Sequence, residues 1–180
     1  MKRILSVIIV VILFSCSGGS PSIDFSAELL SKQKAYSKIS NIYVNLPIGW
    51  FIAEDNECNC TDLWLVKNDY SVSIAFKKIN MADSVLCKDE EEIEKITFYS
   101  KAFVRARLGK DFKYFHGEET FELNGKIFSA YQYQNEKNQT IRTAVFKHYN
   151  MFYECEAVSK KSGATDELYS VQNAVLSTLN

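Results

Sequence analysis

Apolar and polar positions alternate with a period of two along much of this 180-residue chain, and that alternation predicts a sheet. Residues 41–46 put Ile42, Val44 and Leu46 on one face of a strand. It stops at Pro47, which has no N–H for a ladder, and Gly49-Trp50 follow. Residues 62–67 and 70–78 predict two more strands, joined at Asn68-Asp69 as a two-residue hairpin. In the second of them Val72, Ile74 and Phe76 alternate with Ser71, Ser73 and Ala75, so one face is apolar and the other small. Residues 112–121, 126–134, 140–148 and 151–158 read as four further strands in an antiparallel meander. Asn124-Gly125, residues 135–138 and Tyr149-Asn150 supply its turns, and Asn-Gly is the strongest short hairpin signal present.

Elsewhere the period lengthens to that of a helix. Residues 24–38, with Phe25, Leu29, Leu30 and Tyr36, predict a weakly amphipathic helix at the domain edge. Residues 90–108 predict a long helix capped by Asp89, with Glu92 three positions on and Glu90-Glu91-Glu92 matching the positive helix start. Its expected buried stripe is Ile93, Ile96, Tyr99 (or Ser100), Phe103 and Ala106, and Leu108-Gly109 ends it. After Lys160-Lys161-Ser162-Gly163, a last helix over 166–179 would bury Leu168, Val171, Val175 and Leu179. Together these predict an α+β domain: an antiparallel sheet of about seven strands, a long helix after the third strand, and a C-terminal helix packed on it.

The first residues belong to another kind of pattern. An apolar run over 4–14 follows Met1-Lys2-Arg3 and leads to Leu13-Phe14-Ser15-Cys16. A charged start, a short apolar stretch and a small residue before the cut describe a secretory signal, and about 20 residues would be needed to span a bilayer. Leu13-Phe14-Ser15-Cys16 resembles the lipobox of bacterial lipoproteins. That resemblance implies that residues 1–15 are a removed signal peptide and that Cys16 carries the lipid. Each buried methylene contributes about 0.8 kcal/mol, so several acyl chains, palmitate among them, would hold the membrane durably. Ser17, not aspartate, follows Cys16, which in that class favours the outer membrane, facing the periplasm. Residues 16–23, with Ser17-Gly18-Gly19-Ser20-Pro21-Ser22, read as a lipidated tether, and 24–180 as one domain.

Charge narrows the partners. Without Lys2 and Arg3 the chain keeps 19 basic against 22 acidic side chains, so there is no basic excess to draw nucleic acid. The membrane is therefore expected to be reached through the lipid anchor, with a protein as the other partner. Twelve Phe and ten Tyr suit a packed sheet.

Candidate chemistry is sparse. With Cys16 lipidated, Cys58, Cys60, Cys87 and Cys155 remain, and an even count in an exported chain predicts two disulfides. Of the three connectivities, one with a Cys58–Cys60 bridge closes a very small, strained ring. The others join the Cys58-Asn59-Cys60 loop to Cys87 and to Cys155. A zinc site or a redox pair on the same residues are the alternatives. Zinc motifs more often use Cys-x-x-Cys, and the acidic neighbours Glu54, Asp55, Glu57 and Asp62 would raise a thiol pKa. His116, with Glu118 and Glu119 beside it, and His148 at a hairpin end read as solvated strand residues, the alternative being a surface ligand for a divalent ion. No Gly-x-Ser-x-Gly turn and no glycine-rich phosphate loop occurs. No catalytic residue, metal site or cofactor is therefore expected.

The order strand, Leu46-Pro47-Ile48-Gly49-Trp50, hairpin, long helix, four-strand meander and terminal helix resembles the PsbP-like family over roughly residues 39–179. That family includes lumenal subunits of the oxygen-evolving complex, a Ran-binding transport factor and many bacterial exported lipoproteins. The resemblance implies a fold and not an activity. The function expected is a non-catalytic binding or assembly lipoprotein for a protein partner. Its anchors would be the Trp50 loop or Tyr131 and Tyr133, which share one face of their strand unless the terminal helix covers them. The alternative is a small-ligand or metal-binding module, or an unrecognised hydrolase.

Overall fold

The computed structural model describes residues 27–54, 60–80, 92–160 and 165–180. The signal, Cys16 and its tether, Cys58, Cys87 and the Asp89 cap lie outside the described residues. Within them, a short 3-10 turn leads into β1 (Leu30–Tyr36), β2 (Tyr43–Pro47), β3 (Trp50–Ala53), β4 (Leu63–Lys67) and β5 (Val72–Lys78). Helix α1 (Glu92–Leu108) follows, then β6 (Phe112–Leu123), β7 (Lys126–Asn135), β8 (Thr140–His148), β9 (Met151–Ser159) and helix α2 (Thr165–Ser177).

Seven of the strands form one antiparallel sheet in the order β3-β4-β5-β9-β8-β7-β6. The expected α+β class, helix placement and meander are all present. The membership of the sheet differs from expectation at its edge. β2 leaves it to pair with β1, and the short β3 takes the edge position instead. Four residues are too few for an alternating pattern to stand out, which hides β3 in the sequence. β1 replaces the helix expected over 24–38. The physical reason is that β2, separated from the main sheet, needs a partner for its backbone groups, and β1 supplies it from Leu30↔Pro47 to Tyr36↔Tyr43. Asn180 closes the other side of β2, exchanging backbone hydrogen bonds with Tyr43 at 3.3 and 3.1 Å.

Turn chemistry sets the register. Asn124-Gly125 and Tyr149-Asn150 have positive φ at both central residues (50° and 77°, 46° and 62°), the two-residue geometry that matches strand twist. The β4–β5 connection is longer than expected. Tyr70 at φ 56° turns the chain, and its N–H donates to Lys67 O at 2.8 Å. In β6, Gly117 (φ 60°) sits at a register shift between His116 and Glu119, and a Cβ there would fall 2.6 Å from Gln132 Nε2.

The two faces of the sheet have different covers. One carries α2 with the β1–β2 ribbon, over a core that includes Phe76, Phe128, Phe146, Leu65, Ile74, Leu176 and Trp50. The other carries α1, over Tyr131, Tyr133, Ile141, Val145 and Phe152. α1 is rotated relative to the expected stripe. It buries Ile96, Thr97, Ser100 and Val104, while Phe98 and Phe103 are 71% and 55% exposed. Buried polar groups on the sheet beneath it explain the rotation. Phenylalanine facing them would leave those groups without partners, whereas a serine completes their hydrogen bonds. Among the described residues, no helix is long and apolar enough to cross a membrane.

Candidate functional site

Register along the α1-side face defines two rows of side chains that cross most of the sheet. One runs Ala53, Trp64, Ala75, Glu156, Thr143, Tyr131, and the next runs Phe51, Val66, Ser73, Val158, Ile141, Tyr133. α1 lies over the β7–β8 end of both rows. Among the described residues, nothing comparable covers the β3–β5 end.

The covered half holds a buried polar network. Glu154 and Glu156 alternate with Cys155 on β9, so both carboxyls point to α1 while the thiol points to α2. The Ser100 hydroxyl donates to Glu154 Oε1 at 2.5 Å and lies 2.6 Å from the Tyr131 hydroxyl. Glu156 accepts from Arg107 Nη2 at 3.0 Å and also pairs with Lys77. Thr143, fully buried, stands between Glu156 and Tyr131 in the same row.

Burial sets the two carboxyls apart. It raises the Glu154 carboxyl above its ordinary value, opposed by the Ser100 hydrogen bond. Burial also pushes Glu156 upward, but Lys77 and Arg107 outweigh it and hold that carboxyl below its ordinary value. Tyr131 and Tyr133 are raised by burial, with Glu154 adding to the first and Glu156 to the second. One carboxyl is therefore biased towards the neutral acid and its neighbour towards the anion.

The open half is a groove of about 340 Å³ lined by Phe51, Ala53, Trp64, Val66, Tyr70 and Ser73, with Val158, Gln139 and Lys160 at its inner side and mouth. Tyr70 meets Phe51 edge-on at 5.6 Å. Arg107 reaches Glu156 on β9, whereas Lys101 reaches Glu118 on β6. Residues four apart share a helix flank, so Tyr99 and Phe103 stand on the same side of α1 as Arg107. The groove presents three aromatic side chains, Phe51, Trp64 and Tyr70, beside the small and apolar residues of the sheet face.

The sequence-derived candidates fall elsewhere. Trp50 is 8% exposed and packs into the α2-side core, and Tyr131 and Tyr133 are buried beneath α1, so none of the three is a surface anchor. Their cover is α1 and not the C-terminal helix. Cys155 is a free thiol under α2, with Gln172 Nε2 donating to its carbonyl at 2.7 Å, and is not in a disulfide. Burial pushes its thiol up to about 12. Cys60 is disulfide-bonded. His148 is buried, not solvated. Its Nε2 lies 3.3 Å from Asn41 O, and burial lowers its pKa. Near the half-buried His116, Glu118 is engaged by Lys101, and Glu119 crosses to the other face to accept from Arg142 Nε at 3.0 Å. Among the described residues, no three His, Cys, Asp or Glu side chains gather to hold a metal.

Sequence reasoning missed Glu154, Glu156 and Arg142. In a Phe152–Val158 alternation, glutamates read as the solvent face, and only the position of α1 reverses that. Arg142 is 1% exposed on the α2 side. It is held there by Glu119, by Gln172 Oε1 at 2.6 Å and by Asn173 Oδ1 at 2.8 Å. A second groove of about 380 Å³ is lined by Trp50 together with Glu28, Lys67, Asp69 and Glu167.

A sheet with one helix on each face, the long one inserted after the β4–β5 hairpin and the other C-terminal, defines a PsbP-like fold. The solved structure of cyanobacterial PsbP from Synechocystis is similar over 91% of this chain and 98% of its own, with a TM-score of 0.61 and 12% identity. A Bacteroides thetaiotaomicron protein matches with TM-score 0.49 and 15% identity, covering 83% of this chain and 48% of that one. A Pseudomonas aeruginosa protein of unknown function matches at 0.39 and 12%, over 77% of this chain and 90% of that one. No family model and no curated protein matches the sequence.

Proposed function

We propose that this chain is an exported lipoprotein, held by Cys16 to the periplasmic face of the outer membrane, that binds a protein partner and catalyses no reaction. The observation that carries this reading is the half-covered sheet face. Trp64 and Tyr70 are 36% and 61% exposed and line one groove with Phe51. Exposed aromatic clusters are costly in water and common as interface anchors. The carboxyl pair serves position instead of chemistry on this reading. It ties α1 to β9. The signal-like residues 1–15 and the lipobox-like Leu13-Phe14-Ser15-Cys16 support the anchor.

Two measurements test the parts separately. Cells fed radiolabelled palmitate should label the wild-type protein and fractionate it with outer membrane, and Cys16→Ala should be unlabelled and uncleaved. Continued labelling of Cys16→Ala sinks the anchor. Cross-linking from the groove in cells should give a discrete adduct with another protein, and its absence sinks the binding role.

A further inference from the structure

The described chain enters the domain at one end of the sheet. Leu29, just inside that entry, accepts a hydrogen bond from Ile48 N at 3.0 Å through its carbonyl oxygen. Ile48 and Gly49 form the turn between β2 and β3. Gly49 O accepts from Asn68 N, in the turn between β4 and β5, at 2.9 Å. As β9 ends, Lys160 N donates to Ser71 O at 2.9 Å. Entry, two turns and the end of β9 therefore meet at one place. Two large apolar side chains stand out from it, Ile48 at 62% and Tyr70 at 61% exposed.

The far end of the sheet has a similar tip. Tyr149, at the β8–β9 turn, is 74% exposed and shares the positive φ of Tyr70, 46° against 56°. β5 and β9 run antiparallel, from Val72↔Ser159 to Lys78↔Tyr153, so Tyr149 lies about 30 Å away along β9. Exposure does not separate the two ends, but the point of entry does. Ten residues, 17–26, lie between Cys16 and Ala27, and fully extended they reach at most about 40 Å. A chain held to a bilayer at Cys16 keeps its entry end within that reach. Tyr149 could touch the same bilayer only if those residues also ran the length of the sheet. The charged side chains lining the two grooves at the entry end are Glu28, Asp69 and Glu167 against Lys67 and Lys160. That balance gives no attraction to anionic lipid, so a contact here is apolar.

Resting on the Cys16 anchor proposed above, we infer that this end is a second bilayer contact, with Ile48 and Tyr70 seated in the lipid headgroup region. Isoleucine supplies apolar area, and the tyrosine ring, apolar with a polar tip, suits headgroup depth. Two side chains alone bind a membrane weakly. A lipid anchor a few residues away holds them at high effective concentration, so the weak contact is occupied and sets the orientation of the domain. Trp64 lies three residues from Lys67 along β4, about 10 Å from the turn, so the groove opens beside the bilayer and is not filled by it.

The test uses the protein purified from its membrane and reconstituted in phosphatidylcholine vesicles, with and without phosphatidylglycerol. Benzoylphenylalanine replaces Ile48, Tyr70 or Tyr149 in turn, and phospholipid adducts are measured by mass spectrometry after irradiation. All three positions are exposed, and unchanged thermal melts will show that the variants fold. The expected yield at 48 and 70 is at least about fivefold that at 149, and differs by less than about twofold between the two vesicle types. Tyr70→Ser should lower the yield at 48 about threefold or more, because both side chains belong to one contact. Equal yields at the two ends, a higher yield at 149, or a yield at 48 indifferent to Tyr70→Ser overturns the inference. So do adducts that require phosphatidylglycerol, and an adduct to a second copy of the chain in place of lipid. The intact mass of the same sample reads the anchor separately. Acyl chains on Cys16 without adducts at 48 and 70 remove the contact and leave the anchor. Adducts on a protein without acyl chains remove the anchor alone, and the lack of both removes both.

Discussion

The two faces of the sheet are built by the same strands and do different work. The face under α2 is almost wholly apolar, with the Phe146 ring against both Phe76 and Phe128, and its buried Arg142 is held by Glu119, Gln172 and Asn173. The face under α1 sets Glu154, Glu156, Lys77 and two tyrosines among fewer apolar residues, and half of it stays open. Apolar packing is stabilising wherever it is dense, whereas buried charges are stabilising only when every partner is in place. The contrast teaches that the α2 side holds the fold and the α1 side holds the arrangement of the groove.

Substitutions should separate the faces by size and by sign. Phe146→Ala, on the α2 side, is expected to cost about 3–5 kcal/mol in urea unfolding, because its neighbours are rings with little room to relax. Phe103→Ala, on the exposed side of α1, should stay within about 0.5 kcal/mol. A large cost at Phe103 would mean that α1 is packed more tightly than its exposure indicates.

The carboxyl pair makes a sharper test on one face. Glu156→Gln leaves Lys77 and Arg107 without their anion and should cost about 1–3 kcal/mol near neutral pH. Its folded pKa is depressed, so the contribution is present above the ordinary carboxylate value and fades as pH falls through the depressed one. Glu154 has the opposite sign. Its folded pKa is raised, so the protonated form contributes below the ordinary value and that contribution is lost as pH rises through the raised one. Glu154→Gln should therefore gain on wild type as pH increases from 4 to 7, while Glu156→Gln loses. Parallel pH profiles for the two variants would contradict the assignment.

The smallest effect concerns Cys155. In the folded protein it should resist iodoacetamide and react only after unfolding, since it is fully buried and its thiol is pushed up to about 12. Peptide mapping that finds Cys155 in a disulfide would contradict the structure.

Several parts of this arrangement are legible in the sequence. The alternation over 72–78 and 126–158, the Asn124-Gly125 turn and the helices near 90–108 and 166–179 are local signals, and each corresponds to an element here. Elements that depend on a distant partner are not legible. β1 is a strand because β2 needs one, β3 is too short to show a period, and the alternative of Tyr99 or Ser100 facing inward is decided for Ser100 by Glu154 and Tyr131.

The candidate site shows the same division more strongly. Trp64 and Val66 alternate visibly with Leu63 and Leu65, so the sequence by itself determined that β4 has two apolar faces. Which of those faces is covered was decided only in three dimensions, by a helix that lies over β7 and β8 and stops short of β5. Local patterns determine which residues share a face because backbone geometry sets that spacing. The choice between core and groove belongs to the element that lands on the face, from fifteen or more residues away in the chain.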